Sequence, residues 1–361
     1  MKRNILFTAT LLFIAACVIS GCKKKDDDEP NTVTPPEKDD AIYIINEGTF
    51  GQGNGSIDFY SAKADSISND IYGMVNGFPL GDVVQSMTVF NGKGYICINN
   101  SQKVEVVNMA DFVSVGSSTC NGPRYFLGVS NDRGYVSDWS VNGILVMDLV
   151  TNAVIDTIPT GAGPEQMVMT GTKVYVTNVG GWGNDSTVTV INTTTSSVIT
   201  TIQVGLNPNS IKADATGKLW VLCGGTIGPD FTPSTADDRG GSLVRINPTT
   251  NTVEQTFSMN AADHTIKLAI DGSGTNLYYL KGTDGYNGKI HKMNVNDNAL
   301  PTIPMVNKDF YGLGIGPKTG DLYGAFAPDF SQAGTMFRYT SSGDTISNKT
   351  AGVGPNGFVF Y

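Results

Sequence analysis

The sequence predicts an all-β protein, a seven-bladed β-propeller whose ring is closed when the C-terminal strand joins the N-terminal blade. Glycine supplies 43 of the 361 residues without a Gly-X-Y period, and only 16% of the residues are charged, which is typical of a turn-rich folded chain. A unit of four short strands recurs along the sequence. The first unit lacks an innermost strand, and residues 354–361 supply one, so this strand would remove an open sheet edge.

Each unit carries an aromatic residue in its second strand, followed by two alternating strands. The clearest copy comprises residues 174–178, 187–192 and 198–202. The aromatic positions lie 40 to 58 residues apart, which is typical of propeller blades, and they are Tyr43, Tyr95, Tyr135, Tyr175, Trp220, Tyr278 and Tyr323. Turn sequences such as Asn91-Gly92 separate the first and second strands, as expected of tight hairpins. The propeller is therefore predicted to span residues 41–361 as one domain.

The first 40 residues are predicted to be an export signal followed by a tether. Lys2 and Arg3 precede an apolar run over residues 5–19 that is too short to span a bilayer, so residues 1–21 are expected to be a lipoprotein signal peptide. Small residues before Cys22 resemble the bacterial lipobox, which implies lipidation of Cys22. The alternative is an ordinary signal followed by a free cysteine.

Residues 22–40 are expected to form a disordered tether, because they are rich in lysine, acids, proline and threonine. Lysines followed by acids directly after the lipid cysteine resemble the surface-export signal of Bacteroidota lipoproteins. That resemblance implies an outer-membrane protein that is lipid-anchored and faces the cell exterior. A solvated spacer in the periplasm is the alternative.

Charge and cysteine content exclude several classes of protein. The chain has 24 basic and 33 acidic residues, so it lacks the clustered positive charge of a nucleic-acid binder, and membrane contact is expected only through the lipid anchor. Cys97, Cys120 and Cys223 are expected to be three free, mostly buried thiols, with one disulfide as the alternative. No haem-attachment motif is present.

The predicted binding surface is the propeller face formed by the loops between second and third strands and by the links between blades, here called the mouth. Aromatic residues on these loops either anchor a ligand or fill gaps between blades. Polar residues on the links are expected near the channel. The candidate ligand-binding residues are Phe50, Arg124, Tyr125, Trp139, Glu165, Gln166, Trp182, Asn209, Phe231, His264, Tyr286, Tyr311 and Phe330.

Acidic residues outnumber basic ones in the mouth segments, which favours neutral, amide-rich or cationic ligands over anionic ones. The alternative is that these acids solubilise long loops and stabilise turns, as aspartate commonly does. Asp230, Asp237 and Asp238 provide oxygen ligands of the kind that bind calcium. No other metal site and no cofactor is predicted.

No catalytic residue is predicted. The chain has two histidines, neither at zinc-ligand spacing, and it lacks a nucleophile elbow and a P-loop. We therefore expect a protein that is not an enzyme. A pair of carboxylates for glycoside hydrolysis stays open, because sequence does not give the distance between them.

Residues 175–178, Tyr-Val-Thr-Asn, resemble the YVTN repeat of YncE-like propellers. Residues 46–51, 69–71, 76–87 and 309–313 resemble Bacteroidota surface lipoprotein propellers. The second resemblance implies binding of cobalamin or a related corrinoid and its delivery to a TonB-dependent outer-membrane transporter. A protein or polymer interaction scaffold or adhesin is the first alternative, and a glycan-active or lactone-hydrolysing propeller is the second.

Overall fold

Seven four-stranded antiparallel sheets form a seven-bladed β-propeller, which confirms the predicted fold. The structure is a computed structural model that describes residues 41–228, 232 and 236–361. The predicted signal peptide, Cys22 and the tether lie outside the described residues. Among the described residues, no helix is both long and apolar enough to cross a membrane.

The strands of the first four blades follow chain order, with the exception of the innermost strand of blade 1. Blade 1 contains β1 (Ala41–Asn46), β2 (Ser56–Ser61) and β3 (Ser66–Ser68), and helix α1 (Ile71–Asn76) follows it. Blade 2 contains β4 (Val84–Phe90), β5 (Lys93–Ile98), β6 (Lys103–Asn108) and β7 (Ser114–Thr119). Blade 3 contains β8 (Pro123–Ser130), β9 (Arg133–Asp138), β10 (Gly143–Asp148) and β11 (Val154–Pro159). Blade 4 contains β12 (Pro164–Thr170), β13 (Lys173–Asn178), β14 (Thr187–Asn192) and β15 (Ser197–Gln203).

The remaining blades have the same order, and the last strand returns to blade 1. Blade 5 contains β16 (Pro208–Ala213), β17 (Leu219–Cys223), β18 (Ser242–Asn247) and β19 (Thr252–Ser258). Blade 6 contains β20 (His264–Ile270), β21 (Asn276–Gly282), β22 (Gly288–Asn294) and β23 (Val306–Phe310). Blade 7 contains β24 (Gly312–Ile315), β25 (Leu322–Phe326), β26 (Ala333–Tyr339) and β27 (Thr345–Val353), and β28 (Pro355–Phe360) completes blade 1.

The ring closes as the sequence predicts. Strand β28 pairs with β1, with Ile42 opposite Phe360 and Ile44 opposite Phe358. This pairing gives blade 1 its innermost strand, so the blade has four strands like the other six. The closure joins the two ends of the propeller and leaves β1 without an open edge.

The core consists of apolar layers between neighbouring blades. Second strands are buried almost throughout, since both of their faces pack against another blade. The predicted aromatic positions lie in these layers; Tyr95, for example, stacks on Phe126 of the next blade with ring centroids 3.9 Å apart. These contacts hold adjacent blades together through hydrophobic burial and ring packing.

The tight turns and the three cysteines also agree with the predictions from the sequence. Asn91 and Gly92 have φ angles of +49° and +73°, the left-handed conformation that a tight type I′ hairpin requires. Cys97, Cys120 and Cys223 are free and buried. Burial raises the pKa of Cys120 and of Cys223 to about 12, so these thiols are packing groups rather than nucleophiles.

Candidate functional site at the mouth

A repeated irregularity in the inner strands aims polar side chains at the channel. In blades 1 to 6 the register of the inner strand shifts by one residue close to its mouth end. Four of these strands begin with proline, which lacks the N–H that a ladder would need there. A bulge bends the strand and redirects its extra side chain. The side chains at or beside these bulges are Gln85, Arg124, Tyr125, Glu165, Gln166, Asn209, Lys267 and Asn356.

Two of these residues, Arg124 and Glu165, form a buried ionic cluster with Trp139 of the loop after β9. Arg124 Nε and Nη2 donate to the two carboxylate oxygens of Glu165 at 2.9 and 2.8 Å. Trp139 Nε1 donates to Glu165 Oε2 at 2.8 Å, and the Arg124 guanidinium lies 4.0 Å from the centroid of the Trp139 ring. Burial acts to lower the pKa of Arg124, but the Glu165 carboxylate outweighs it and raises this pKa above its usual range. The cluster fixes the Trp139 ring at the wall of the mouth.

A second carboxylate, that of Glu47 in the loop after β1, is held by two hydrogen bonds. Glu47 Oε1 accepts hydrogen bonds from the Tyr311 hydroxyl at 2.9 Å and from Asn356 Nδ2 at 2.7 Å. Burial, and after it the Glu47 carboxylate, raise the pKa of Tyr311 well above its usual range, so the hydroxyl stays protonated and donates. The Tyr311 ring also meets Phe330 edge to face at 5.3 Å.

Among the described residues, the three most exposed aromatic side chains all lie on the rim of the mouth. Trp182 is 98% exposed, Phe50 is 73% exposed and Tyr286 is 65% exposed. They come from the mouth loops of three different blades. The Trp182 ring lies 6.0 Å from that of Trp139 in an edge-to-face arrangement, so the rim continues into the wall. Large aromatic surfaces gathered around one opening and left in water are typical of interaction sites.

The rim surrounds a cavity of about 350 Å³ at the end of the channel. Ten of the thirteen candidate residues line it, and they are Phe50, Arg124, Tyr125, Trp139, Glu165, Gln166, Trp182, Asn209, Tyr286 and Tyr311. Phe330 lies beside them through its contact with Tyr311. Phe231 lies outside the described residues. The structure thus brings most of the candidates together, while their role in binding stays a prediction.

His264 does not line the cavity, in contrast to its predicted position. Its imidazole is buried, with Nδ1 3.2 Å from the carbonyl oxygen of Gly224 and Nε2 3.8 Å from Asp238 Oδ2. These contacts hold the side chain against Gly224 and Asp238 of blade 5 rather than in the mouth cavity. The sequence placed the residue on the correct face but did not show this direction.

Several carboxylates of the mouth loops accept hydrogen bonds from nearby backbone amides. Asp138 accepts hydrogen bonds from the amides of Asn121 and Gly122 at 2.9 and 2.8 Å. Asp185 and Asp284 bind loop amides in the same way. These contacts support the alternative in which the acids stabilise turns. Among the described residues, the charged ones that line the mouth cavity are Glu47, Arg124, Glu165 and Lys267.

One of the three residues of the calcium prediction, Asp230, lies outside the described residues, whereas Asp237 and Asp238 are described. Among the described residues, no three acidic, histidine or cysteine side chains gather as a metal site. Asp238 instead accepts a hydrogen bond from the Gly228 amide at 2.9 Å.

Sequence reasoning missed three channel residues, Gln85, Lys212 and Lys267, which line the cavities on the axis. Aligning the starts of the inner strands would have found two of them. Gln85 and Lys267 occupy bulge positions equivalent to Gln166 and Asn209, which were selected.

Fold and site together define the class, a seven-bladed propeller with an aromatic-rimmed cavity on its axis. A family described as a domain of unknown function, DUF5074, matches residues 40–349, and the chain belongs to this family. No curated protein sequence matches the chain.

Solved structures with the same fold share little sequence with this chain. One is a quinonprotein alcohol dehydrogenase-like protein from Bacteroides thetaiotaomicron, with 15% identity over 90% of this chain and 78% of that chain and a TM-score of 0.66. Another is the periplasmic gluconolactonase of Pseudomonas aeruginosa, with 12% identity over 88% and 99% and a TM-score of 0.64. A third is hydrazine synthase of Kuenenia stuttgartiensis, with 15% identity over 78% and 92% and a TM-score of 0.56. At this level of identity the likeness concerns the fold alone.

Proposed function

We propose that the protein binds a small ligand at the mouth, without chemical change, as a surface-exposed outer-membrane lipoprotein. The observation that carries this proposal is the arrangement of Trp182, Phe50 and Tyr286 around the mouth cavity. A monomer pays free energy to leave three aromatic rings in water, and a ligand that covers them recovers it. Such a site needs no cofactor.

A corrinoid, cobalamin in the first place, is the ligand we favour. A large, rigid molecule with many amide groups matches a rim of flat aromatic surfaces above a wall of polar side chains. Gln85, Gln166 and Asn209 supply amides in that wall, and the rest of the ligand would rest on the rim. The resemblance of residues 46–51 and 76–87 to corrinoid-capturing propellers supports the same ligand.

Absence of catalysis is part of the proposal, because the carboxylates of the mouth are already engaged. Glu165 is held by Arg124 and Trp139, and Glu47 is held by Tyr311 and Asn356. A general acid or base must be able to exchange a proton with a substrate, and these contacts stabilise both groups as hydrogen-bond acceptors. Turnover of a lactone or glycoside that is lost on removing either carboxylate would contradict this part of the proposal.

We further propose that a lipid on Cys22 anchors the protein outside the outer membrane, and that the mouth hands its ligand to a TonB-dependent transporter. The lipobox and the lysine–acid stretch after it support the anchor. Replacing Cys22 by Ser should release the protein from outer membranes into the soluble fraction. Retention of that variant in the membrane would contradict the anchor.

Calorimetric titration with cyanocobalamin tests the ligand. We expect binding by the wild type, at least a tenfold loss in Trp182→Ala, and no loss in Ile303→Ala. Ile303 is the matched control because it is 78% exposed but follows the third strand of blade 6, on the opposite face. No heat and no spectral shift for the wild type at micromolar concentrations would exclude the corrinoid.

An interaction scaffold is the second candidate, and the exposure of Trp182 favours it as well, since such rings are also common at protein interfaces. Capture of a membrane protein by the wild type but not by Trp182→Ala, with no small-molecule binding, would support the scaffold in place of the ligand-binding function.

A further inference from the structure

The central channel contains a second cavity of about 400 Å³, which shares Gln85, Tyr125, Gln166 and Lys267 with the mouth cavity. Its wall is formed largely by the inner strands of the blades. The charged residues among the described residues that line it are Lys212 and Lys267, and none of the lining residues is an acid. The channel thus differs in charge from the acidic loops around the mouth.

Lys212 projects into this channel from β16. Its Nζ lies 3.3 Å from Gln166 Oε1, a neutral acceptor that does not balance the ammonium charge. Burial lowers the pKa of Lys212 to about 8, so the group still carries a proton at neutral pH, at an energetic cost. A buried cation is stable when an anion accompanies it.

Lys267 comes from the neighbouring inner strand, β20. It is the extra residue of the bulge, with φ of +56°, and this conformation turns its side chain toward the axis. Its Nζ lies 5.6 Å from the centroid of the Tyr311 ring. A contact with an aromatic face attracts a cation but does not neutralise it.

Among the described residues, the two carboxylates that line the mouth cavity already have other partners. Glu165 is paired bidentately with Arg124, and Glu47 is bound to Tyr311 and Asn356. Two ammonium groups therefore face one partly enclosed cavity. Apolar walls, including Met87 and Leu313, lower the effective dielectric constant, which strengthens the attraction for any anion that enters.

We propose that the channel is an anion-binding site, in which Lys212 and Lys267 hold a phosphate or carboxylate group. Each lysine supplies a point charge and rotatable donors, and the Gln166 amide can turn its NH₂ group toward the same anion. The anion is either free in solution or part of a larger molecule that enters from the mouth. The site does not depend on the proposed corrinoid, because the aromatic rim takes no part in it.

Calorimetric titration with inorganic phosphate, and separately with acetate, tests the site at pH 7 and constant ionic strength. We expect one site in the wild type and at least a tenfold loss of affinity in the Lys212→Met/Lys267→Met double variant. Lys349→Met is the control for loss of a positive charge away from the channel, because Lys349 lies in the outermost strand of blade 7 and pairs with Asp65. Equal affinity in the wild type and the double variant, or no binding of either anion, would overturn the proposal.

A thermal shift measurement gives a second readout for variants that fold. Phosphate should raise the melting temperature of the wild type and of Lys349→Met, but not that of the double variant. Trp182→Ala separates this proposal from the ligand proposed for the mouth, since it should lose cyanocobalamin binding and keep phosphate binding. Loss of phosphate binding in Trp182→Ala would place the anion at the rim and contradict the channel site. Competition between phosphate and a larger bound ligand shows the source of the anion. Phosphate that displaces the ligand occupies the position of the ligand's anionic group. Phosphate that binds beside the ligand is a free ion.

Discussion

Glu165 connects three separate segments of the mouth through a single carboxylate. Its partners, Arg124 and Trp139, come from β8 and from the loop after β9, and all three side chains point to one spot on the wall. The side chains of Arg124 and Glu165 are only 15% and 8% exposed, so each charge relies on the other. A pair of this kind orders the site more than it stabilises the fold, because desolvation offsets its attraction.

Replacing Glu165 by Gln should therefore destabilise the protein by about 3 kcal/mol, since the guanidinium of Arg124 would stay buried without an anion. The double variant Arg124→Met/Glu165→Gln should lose less than the sum of the single changes. Urea unfolding of the four proteins measures both effects. Additive losses would show that the two charges do not depend on each other.

Lys212 should make the stability depend on pH. Its pKa is about 8 in the folded protein and about 10.5 in an unfolded chain, so the unfolded chain binds more protons between these values. The free energy of unfolding of the wild type, relative to Lys212→Met, should therefore rise as the pH increases from 8 to about 10.5. The titration of other groups is common to both proteins and cancels. A difference that stays constant from pH 7 to pH 10 would contradict the lowered pKa.

Individual site residues were partly predictable. The order of strands and loops predicted that Trp139, Trp182 and Glu165 lie at the mouth, because their positions within the repeat determine the face. Sequence does not report where a bulge turns a side chain, so Lys267 was missed and His264 was expected at the channel. The contacts between Glu165 and Arg124 depend on how two blades meet, which no single repeat contains.

The loop that carries Trp182 is held in place by a close approach of two backbones. Gly163, in the link before β12, has φ of +59°, and a Cβ at this position would lie 2.0 Å from the amide nitrogen of Gly181. Two hydrogen bonds join the link and the loop, from Val179 N to Gly163 O and from Gly180 N to Ala162 O, each 2.8 Å long. The rim position of Trp182 therefore depends on the absence of a side chain at Gly163.

Gly163→Ala should displace this loop and weaken ligand binding at the mouth by tenfold or more. Gly171→Ala is the matched control, since Gly171 has φ of +58° but nothing within 4 Å of an added Cβ. Both variants should lose about 1 kcal/mol from the left-handed backbone, and only Gly163→Ala should lose more through the clash. Calorimetry and urea unfolding measure the two effects. Identical behaviour of the variants would show that the contact with Gly181 does not position the loop.

The inner strands show why strands were easier to predict from the sequence than the bulges within them. Alternating apolar residues and turn sequences such as Asn91-Gly92 indicated the hairpins, because both signals are local. Four of the six bulges occur in inner strands that start with proline, beside a neighbouring strand that continues regularly. A comparison of the repeats at Pro164, Pro208 and Pro355 carries that signal, although one strand alone does not.

The seven-bladed ring was predictable because it is a consequence of repetition. Seven aromatic positions at similar spacing imply seven units, and a first unit without an inner strand requires one from elsewhere in the chain. Charge at the binding face was less predictable, since acids that hold turns and acids that face a ligand are equivalent in sequence. Only the folded protein shows that Asp138 binds backbone amides. It also shows that the charged residues lining the channel are lysines.

Ring closure provides the last prediction. Removal of residues 358–361 deletes the pairings of Ile42 and Ile44 in β1 and the contacts of the Phe358 and Phe360 rings with Tyr323 of blade 7, at 5.7 and 5.4 Å. The loss exposes one edge of blade 1 and opens the interface between the first and last blades, so the truncated protein should lose its cooperative thermal transition. Removal of Tyr361 alone is the control. It deletes one backbone hydrogen bond, to Ala41 O, and should preserve the thermal transition. An unchanged melting curve for the longer truncation would contradict ring closure as a source of stability.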